Sequence, residues 1–260
     1  SLHDALPICV VVIAGNNIGD FSGNASSPFE AAGITFFGDN AGNTDIGVNN
    51  FKITWNTIEN ITNAGGPSST VLIGGEYSDL GDDHQVTNNN LVGSGIVRYS
   101  TSTPDTDDAL NATSNWWGSA NGPNADANTY NNASQGGYVS GSVEFTPWLD
   151  NSTDNGGTEF APVTNGSDDG FSNIQAAIDA SSDETVDLED GRFEESITVG
   201  TSVKISGAGE NETTIANDTS KIIQLNSQDI TISNLNITNN GGGNGIDVPT
   251  QQNASGLRLD

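Results

Sequence analysis

The sequence predicts an all-β chain of short stacked strands, a parallel β-helix, and three observations lead there. First, four six-residue windows share one pattern: "IAGNNI" (Ile13 to Ile18), "ITWNTI" (Ile53 to Ile58), "VTNNNL" (Val86 to Leu91) and "ATSNWW" (Ala112 to Trp117). Each has an apolar or small residue, two spacers, Asn, one spacer and a bulky apolar residue. Second, "VKISG" from Val203 and "ITISN" from Ile230 lie 27 residues apart, about one turn of such a stack. Third, one short amphipathic helical segment stands directly before a series of strand-like runs. In a parallel β-helix each turn lays a strand on its predecessor, so that apolar residues form columns and a bend Asn can bond amide to amide with its neighbours.

Residues 1–9 are set aside before any element is assigned. "SLHDALPI" reads as the translation of a common sequencing-adapter oligonucleotide, whose last base would begin the Cys9 codon. That removes His3 and the only cysteine. What remains has no methionine and only His84, as expected of an internal piece of a longer reading frame. From residue 10 onward the windows place Asn16, Asn56, Asn89 and Asn115 as a structural ladder, at intervals of 40, 33 and 26 residues that suit one turn plus loops of varying length. The stack must end without exposing an apolar column and a row of unpaired backbone groups. Trp116 and Trp117 fall where the preceding window has Asn90 and Leu91, so an indole is expected across the final layer. "VEFTPWLD" (Val143 to Asp150) reads as one more strand stopped by Pro147, with Trp148 completing the cap.

Residues 151–170, rich in Asn, Asp, Gly, Ser and Thr, read as a linker. The pattern then restarts. In "SNIQAAIDAS", Ser172 and Gln175 have capping-box spacing, and Phe171, Ile174, Ala177 and Ile178 share a helical face. Such a helix would cover the open first turn of a second stack. Its strands are "TVDL", "SITV", "SVKISG", "KIIQL", "ITISNLNI" and "GIDV", several with two-residue alternation.

Charge narrows the partners. The chain carries 34 acidic and 6 basic side chains, a net charge of −28, although only 15% of residues are charged. Composition alone borders on that of acidic disordered segments, but disorder needs no register of apolar residues with Asn. Such a surface is tolerable in molar salt, where screening reaches only about 3 Å, so a halophilic source is expected. It repels phosphate backbones and anionic lipids, and Lys52, Arg98, Arg192, Lys204, Lys221 and Arg258 form no basic stripe. Nucleic acid is therefore not an expected partner. No apolar run approaches the ~20 residues of a membrane span.

Two blocks resemble a known superfamily. "NWWGSANGP" (Asn115 to Pro123) followed by "VEFTPWL" (Val143 to Leu149) resembles the C-terminal closing segment of many prokaryotic right-handed parallel β-helix repeat proteins. The block from "FSNIQAAIDASSDETVDLEDGRFEESITV" to "SVKISGAGENETTI" resembles the N-terminal turns of pectate-lyase-like β-helices, over Phe171 to about Val248. The resemblance implies a right-handed solenoid in which residues 10–150 are the C-terminal turns and cap of one β-helix. Residues 171–260 would then be the cap helix and first turns of a second, truncated one.

The same superfamily contains esterases and polysaccharide lyases, but their signatures are not matched. No "GxQDTL"-like esterase segment occurs. The nearest carboxylate–arginine group, Glu189, Asp190, Arg192, Glu194 and Glu195, lies in a turn that the resemblance implies is structural, with Phe193 inward. Asp79, Asp82, Asp83 and His84, and separately Asp105, Asp107 and Asp108, offer oxygen ligands that would suit Ca²⁺, yet neither has the spacing of a known calcium loop. No catalytic residue, metal ligand or cofactor is therefore assigned. Ten Asn-x-Ser/Thr acceptors occur; Asn151 and Asn165, in the linker, are the expected glycan sites if the protein is exported. The expected function is that of a non-catalytic, extracellular or cell-surface protein for adhesion or contact with a polysaccharide or cell-surface glycan. The alternative is a polysaccharide lyase or carbohydrate esterase with its active site in turns outside this sequence.

Overall fold

The computed structural model describes residues 11–23, 31–38, 51–63, 68–75, 84–93, 95–98, 109–166, 170–181, 185–249, 256 and 258–259. Residues 1–9, set aside above, lie outside that set. Among the described residues the chain is all-β, with 48% strand and 7% helix, most strands pair in parallel, and no sheet closes on itself. It divides into two compact units, one of Ser1–Ala125 with Gln135–Glu159, the other of Asp126–Ser134 with Phe160–Asp260.

The first unit repeats a three-strand layer. Val11–Ala14, Phe51–Thr54, Gln85–Thr87, Leu110–Asn111 and Val143–Glu144 form a five-stranded sheet in that order. Asn17–Gly19, Thr57–Glu59 and Asn90–Val92 form a second sheet, and Ala31–Gly38, Ser68–Gly75 and Ile96–Arg98 a third. Pairing is in register: Ile13 opposes Ile53, and Ile53 opposes Val86. Ile58 likewise opposes both Ile18 and Leu91, and Val71 opposes both Ile34 and Ile96. Strand neighbours sit ~4.8 Å apart, so these apolar side chains touch along each column. Phe51, Ile53, Ile58, Val71, Val86, Leu91 and Ile96 are fully buried. Burying one such aliphatic side chain stabilises the fold by about 1.5–3 kcal/mol.

The second unit has the same grammar. Thr185–Leu188, Lys204–Gly207, Thr231–Ser233 and Arg258–Leu259 pair in parallel, flanked by Val163–Asn165 and Gly170–Phe171, which run antiparallel to their neighbours. Two three-stranded parallel sheets accompany it: Gly191–Phe193, Thr213–Asn217 and Asn236–Asn239, and Ile197–Val199, Lys221–Leu225 and Asn244–Asp247. Lys204 opposes Thr231 at the 27-residue interval seen in the sequence. Val186, Ile205 and Ile232 make one core column and Phe193 with Ile215 another. The composition of residues 151–170 reads as linker; in the structure it contains a 3-10 turn at Thr153–Asn155 and the strands Glu159–Phe160 and Val163–Asn165.

Helix α1, Ile174–Ala180, buries Ile174, Ala177 and Ile178 as the helical face predicts. Its cap differs from the expected Ser172–Gln175 box. Asn173 is the N-cap and accepts from Ala176 N, while Ser172 Oγ donates to Ala127 O. The next two free amides, Ile174 N and Gln175 N, donate to the Glu195 carboxylate at 2.8 and 3.2 Å. The Glu195 carboxylate, 20 residues on, takes the Gln175 amide that a local box would have used, and the Gln175 side-chain oxygen accepts from Thr198 N instead of from the Ser172 amide. Replacing Ile53 with Ala should lower unfolding free energy by about 2–5 kcal/mol, read from guanidinium titrations.

Candidate functional site

The four ladder asparagines lie in one column of the first unit. Asn56 Oδ1 accepts from Asn16 N and Asn16 Nδ2, both at 3.0 Å. Asn89 Oδ1 accepts in the same way from Asn56, and Asn115 Oδ1 from Asn89. Each inner Nδ2 also reaches backbone: Asn56 donates to Ile13 O and Thr54 O, Asn89 to Ile53 O and Thr87 O, and Asn115 to Val86 O and Ala112 O. Asn56, Asn89 and Asn115 are buried, so the column satisfies polar groups at a bend where sheet pairing is interrupted. Asn16 is exposed.

The residue before each ladder Asn adopts a left-handed backbone. Gly15, Trp55, Asn88 and Ser114 have φ of 70°, 59°, 58° and 56°. For a side chain with Cβ this costs about 1–2 kcal/mol, which Gly avoids and Asn tolerates best. A second such column lies four residues after the ladder, with Asp20, Asn60 and Gly93, and Asn60 Nδ2 donates to Asp20 Oδ1 at 3.3 Å.

At the other end of the unit, Trp116 is half-buried and forms a parallel bridge with Asn90; its N–H donates to Asn89 O and its C=O accepts from Leu91 N. Trp117 therefore continues the Ile18, Ile58, Leu91 column, and its ring is fully buried. Trp148 is also fully buried, and its Nε1 donates to Ala120 O at 2.9 Å. Gly122, at φ 73°, lies so close to the Trp148 ring that a Cβ would come within 2.7 Å of it. Leu149 N donates to Asn115 O, which brings the Trp148 segment against the last ladder layer.

The outward side of the five-stranded sheet is mixed: Val12 and Ala14 on its first strand, Lys52, Thr54, Gln85, Thr87 and Asn111 across the middle, and Glu144 on its last. Lys52 and Thr54 alternate with buried Phe51 and Ile53; Gln85 and Thr87 oppose Lys52 and Thr54, and Asn111 opposes Gln85. Trp55 follows Thr54 with its ring 61% exposed, a residue the sequence pattern counts only as a spacer. Its signal was present in the sequence: Gly, Asn and Ser occupy the same offset in the other windows.

In the second unit the carboxylate group around Arg192 separates into structural roles. Glu195 is buried and also accepts from Thr129 Oγ1 at 2.7 Å. Burial pushes its carboxyl above the usual carboxylate range, and the bonds from Ile174, Thr129 and Gln175 only partly offset that. Glu194 pairs with Arg192 at 3.1 Å on the surface. Tyr130 packs against Phe193 and donates to Asp190 O at 2.7 Å; burial and the nearby Asp190 and Glu189 push its phenol up to about 12. Phe193 is fully buried. Among the described residues no three His, Cys, Asp or Glu side chains gather as metal ligands, and no helix is long and apolar enough to cross a membrane. Asp79, Asp82, Asp83, Asp105, Asp107 and Asp108 lie outside the described residues. Asn151 is exposed, whereas Asn165 is only 5% exposed within its strand, so of the two acceptors Asn151 has the accessible amide.

Comparison of the chain with protein-family models, with curated proteins and with solved structures found no match.

Asn89→Ala would leave Asn56 N without its acceptor and remove one of the three acceptors around Asn56 Nδ2, and should cost about 1–3 kcal/mol. Asn16→Ala, at the exposed end, should cost less than half as much; paired thermal melts check the ratio. Glu195→Gln tests the buried carboxyl. Because the folded state holds this proton more tightly than the unfolded chain, wild-type stability from this group is present below the ordinary Glu value near 4.5 and is lost as pH rises through the raised folded value. The difference in stability between wild type and Glu195→Gln should therefore move in favour of the variant over that window and stay constant above it.

Proposed function

We propose that this chain is part of an exported or cell-surface right-handed parallel β-helix protein of the pectate-lyase-like architecture, and that it works without catalysis, by contacting carbohydrate. The observation that carries this reading is the in-register column of Asn16, Asn56, Asn89 and Asn115 flanked by aliphatic columns, since a rigid stack of that kind exists to hold an extended outer face in place. Hydroxyl and amide side chains stand on that face at Thr54, Gln85, Thr87 and Asn111, beside Val12, Ala14, Lys52 and Glu144, a mixture that suits the hydroxyls and C–H groups of a sugar chain. The charge of −28 supports an extracellular setting at high salt, with screening of the carboxylates.

A panel of immobilised glycans, probed with the whole chain in molar NaCl, should retain it on at least one polysaccharide. Incubation with pectin and alginate should release no unsaturated ends and no methanol. Turnover of either would replace this reading with that of a lyase or esterase.

A further inference from the structure

Trp55 stands at a position whose backbone favours glycine or asparagine, and Gly15 and Asn88 occupy the equivalent places in the layers on either side. Its ring gains little from the core, being 61% exposed, while Trp117 and Trp148 are fully buried. Neither backbone preference nor packing accounts for an indole there, and unfavourable conformations that persist are characteristic of functional positions. The strand that ends just before it, Phe51–Thr54, carries Thr54 and the exposed Lys52, with Thr87 and Gln85 in register on one neighbouring strand and Ala14 and the exposed Val12 on the other. Lys52 has no hydrogen bond or ion pair among the described residues.

We propose that Trp55 is the stacking platform for one ring of an uncharged glycan, with Lys52, Thr54, Gln85 and Thr87 exchanging hydrogen bonds with its hydroxyls. An indole face takes the C–H face of a sugar ring, and flanking donors and acceptors on adjacent strands, ~4.8 Å apart, set its orientation. The face decides the class: it offers a single cation, Lys52, beside the uncharged hydroxyl and amide groups of Thr54, Thr87 and Gln85, which suits sugar hydroxyls rather than a row of carboxylates. The ligand is therefore a neutral hexose polymer. This inference rests on the carbohydrate-contact reading above and adds to it a place and a ligand class.

The test is a fluorescence titration of the whole chain in molar NaCl with cellohexaose and with mannohexaose, using an oligogalacturonate of the same length as the charged comparison. At least one neutral hexamer should shift the indole emission to the blue and protect it from acrylamide, since Trp55 is the most exposed of the tryptophans. Trp55→Gly and Trp55→Asn should each weaken that binding about tenfold or more while melting at or above the wild-type temperature, because the left-handed backbone suits both replacements. Lys52→Ala should weaken it several-fold. Preference for the oligogalacturonate overturns the ligand class. Hexamer binding that survives Trp55→Gly overturns the site and leaves the carbohydrate reading standing, whereas failure of the wild type on both neutral hexamers and on every immobilised glycan removes both. A melting temperature well below wild type in both Trp55 variants would make the ring a packing element and overturn the proposal.

Discussion

Parallel strands are held in strict register in the first unit by a column of amides at one bend of successive layers, in which buried Asn56 and Asn89 each bond to the amide of the layer above and of the layer below. At a bend the backbone turns away from its sheet, and its N–H and C=O groups would be buried without partners. An asparagine side chain carries an acceptor oxygen and two N–H donors, which suits what is missing there: Asn89 Nδ2, for example, shares its two protons among Asn115 Oδ1, Thr87 O and Ile53 O, and Asn89 Oδ1 accepts from Asn56 N and Nδ2. The aliphatic columns follow from that alignment. Ile18, Ile58 and Leu91 each stand two residues past a ladder Asn, so fixing the amides fixes the core.

The second unit reaches a similar register by other means. Its first layer is covered by α1, and the helix is held by Glu195, whose carboxylate takes two of the helix's free amides at once. This is a trade. The helix end is satisfied, but a carboxyl is buried, and burial makes it hold its proton more firmly. The ion pairs, Arg192 with Glu194 and Lys221 with Asp247, are at the surface, where such pairs contribute little.

Much of this was legible in the sequence, for a physical reason: wherever a contact repeats at a fixed offset, the residue type repeats with it. The ladder asparagines, the alignment of Trp117 with Leu91 and the 27-residue interval that pairs Lys204 with Thr231 are all of that kind. Contacts made once leave no such trace. Nothing local to Ser172 or Asn173 tells which of them caps α1, because the choice is set by Glu195 far along the chain. Nor does the sequence place Asp126–Ser134 with the second unit, where Tyr130 packs against Phe193. Trp55 was legible only as a misfit, a large ring in a series of Gly, Asn and Ser, and a misfit is visible only after the series has been aligned.

Each ladder asparagine also re-indexes the polypeptide. Intervals of 40, 33 and 26 residues separate amides that nonetheless bond at about the same distance, so the segments between them absorb additions and deletions at no cost to the alignment. One residue inserted between Asn56 and Ile58 would instead turn the side chains of the strand Thr57–Glu59 through to the opposite surface. Changes of length are thus tolerated in the connections between layers rather than within them. The same connections are where an epitope or a fluorophore can be grafted without disturbing the column.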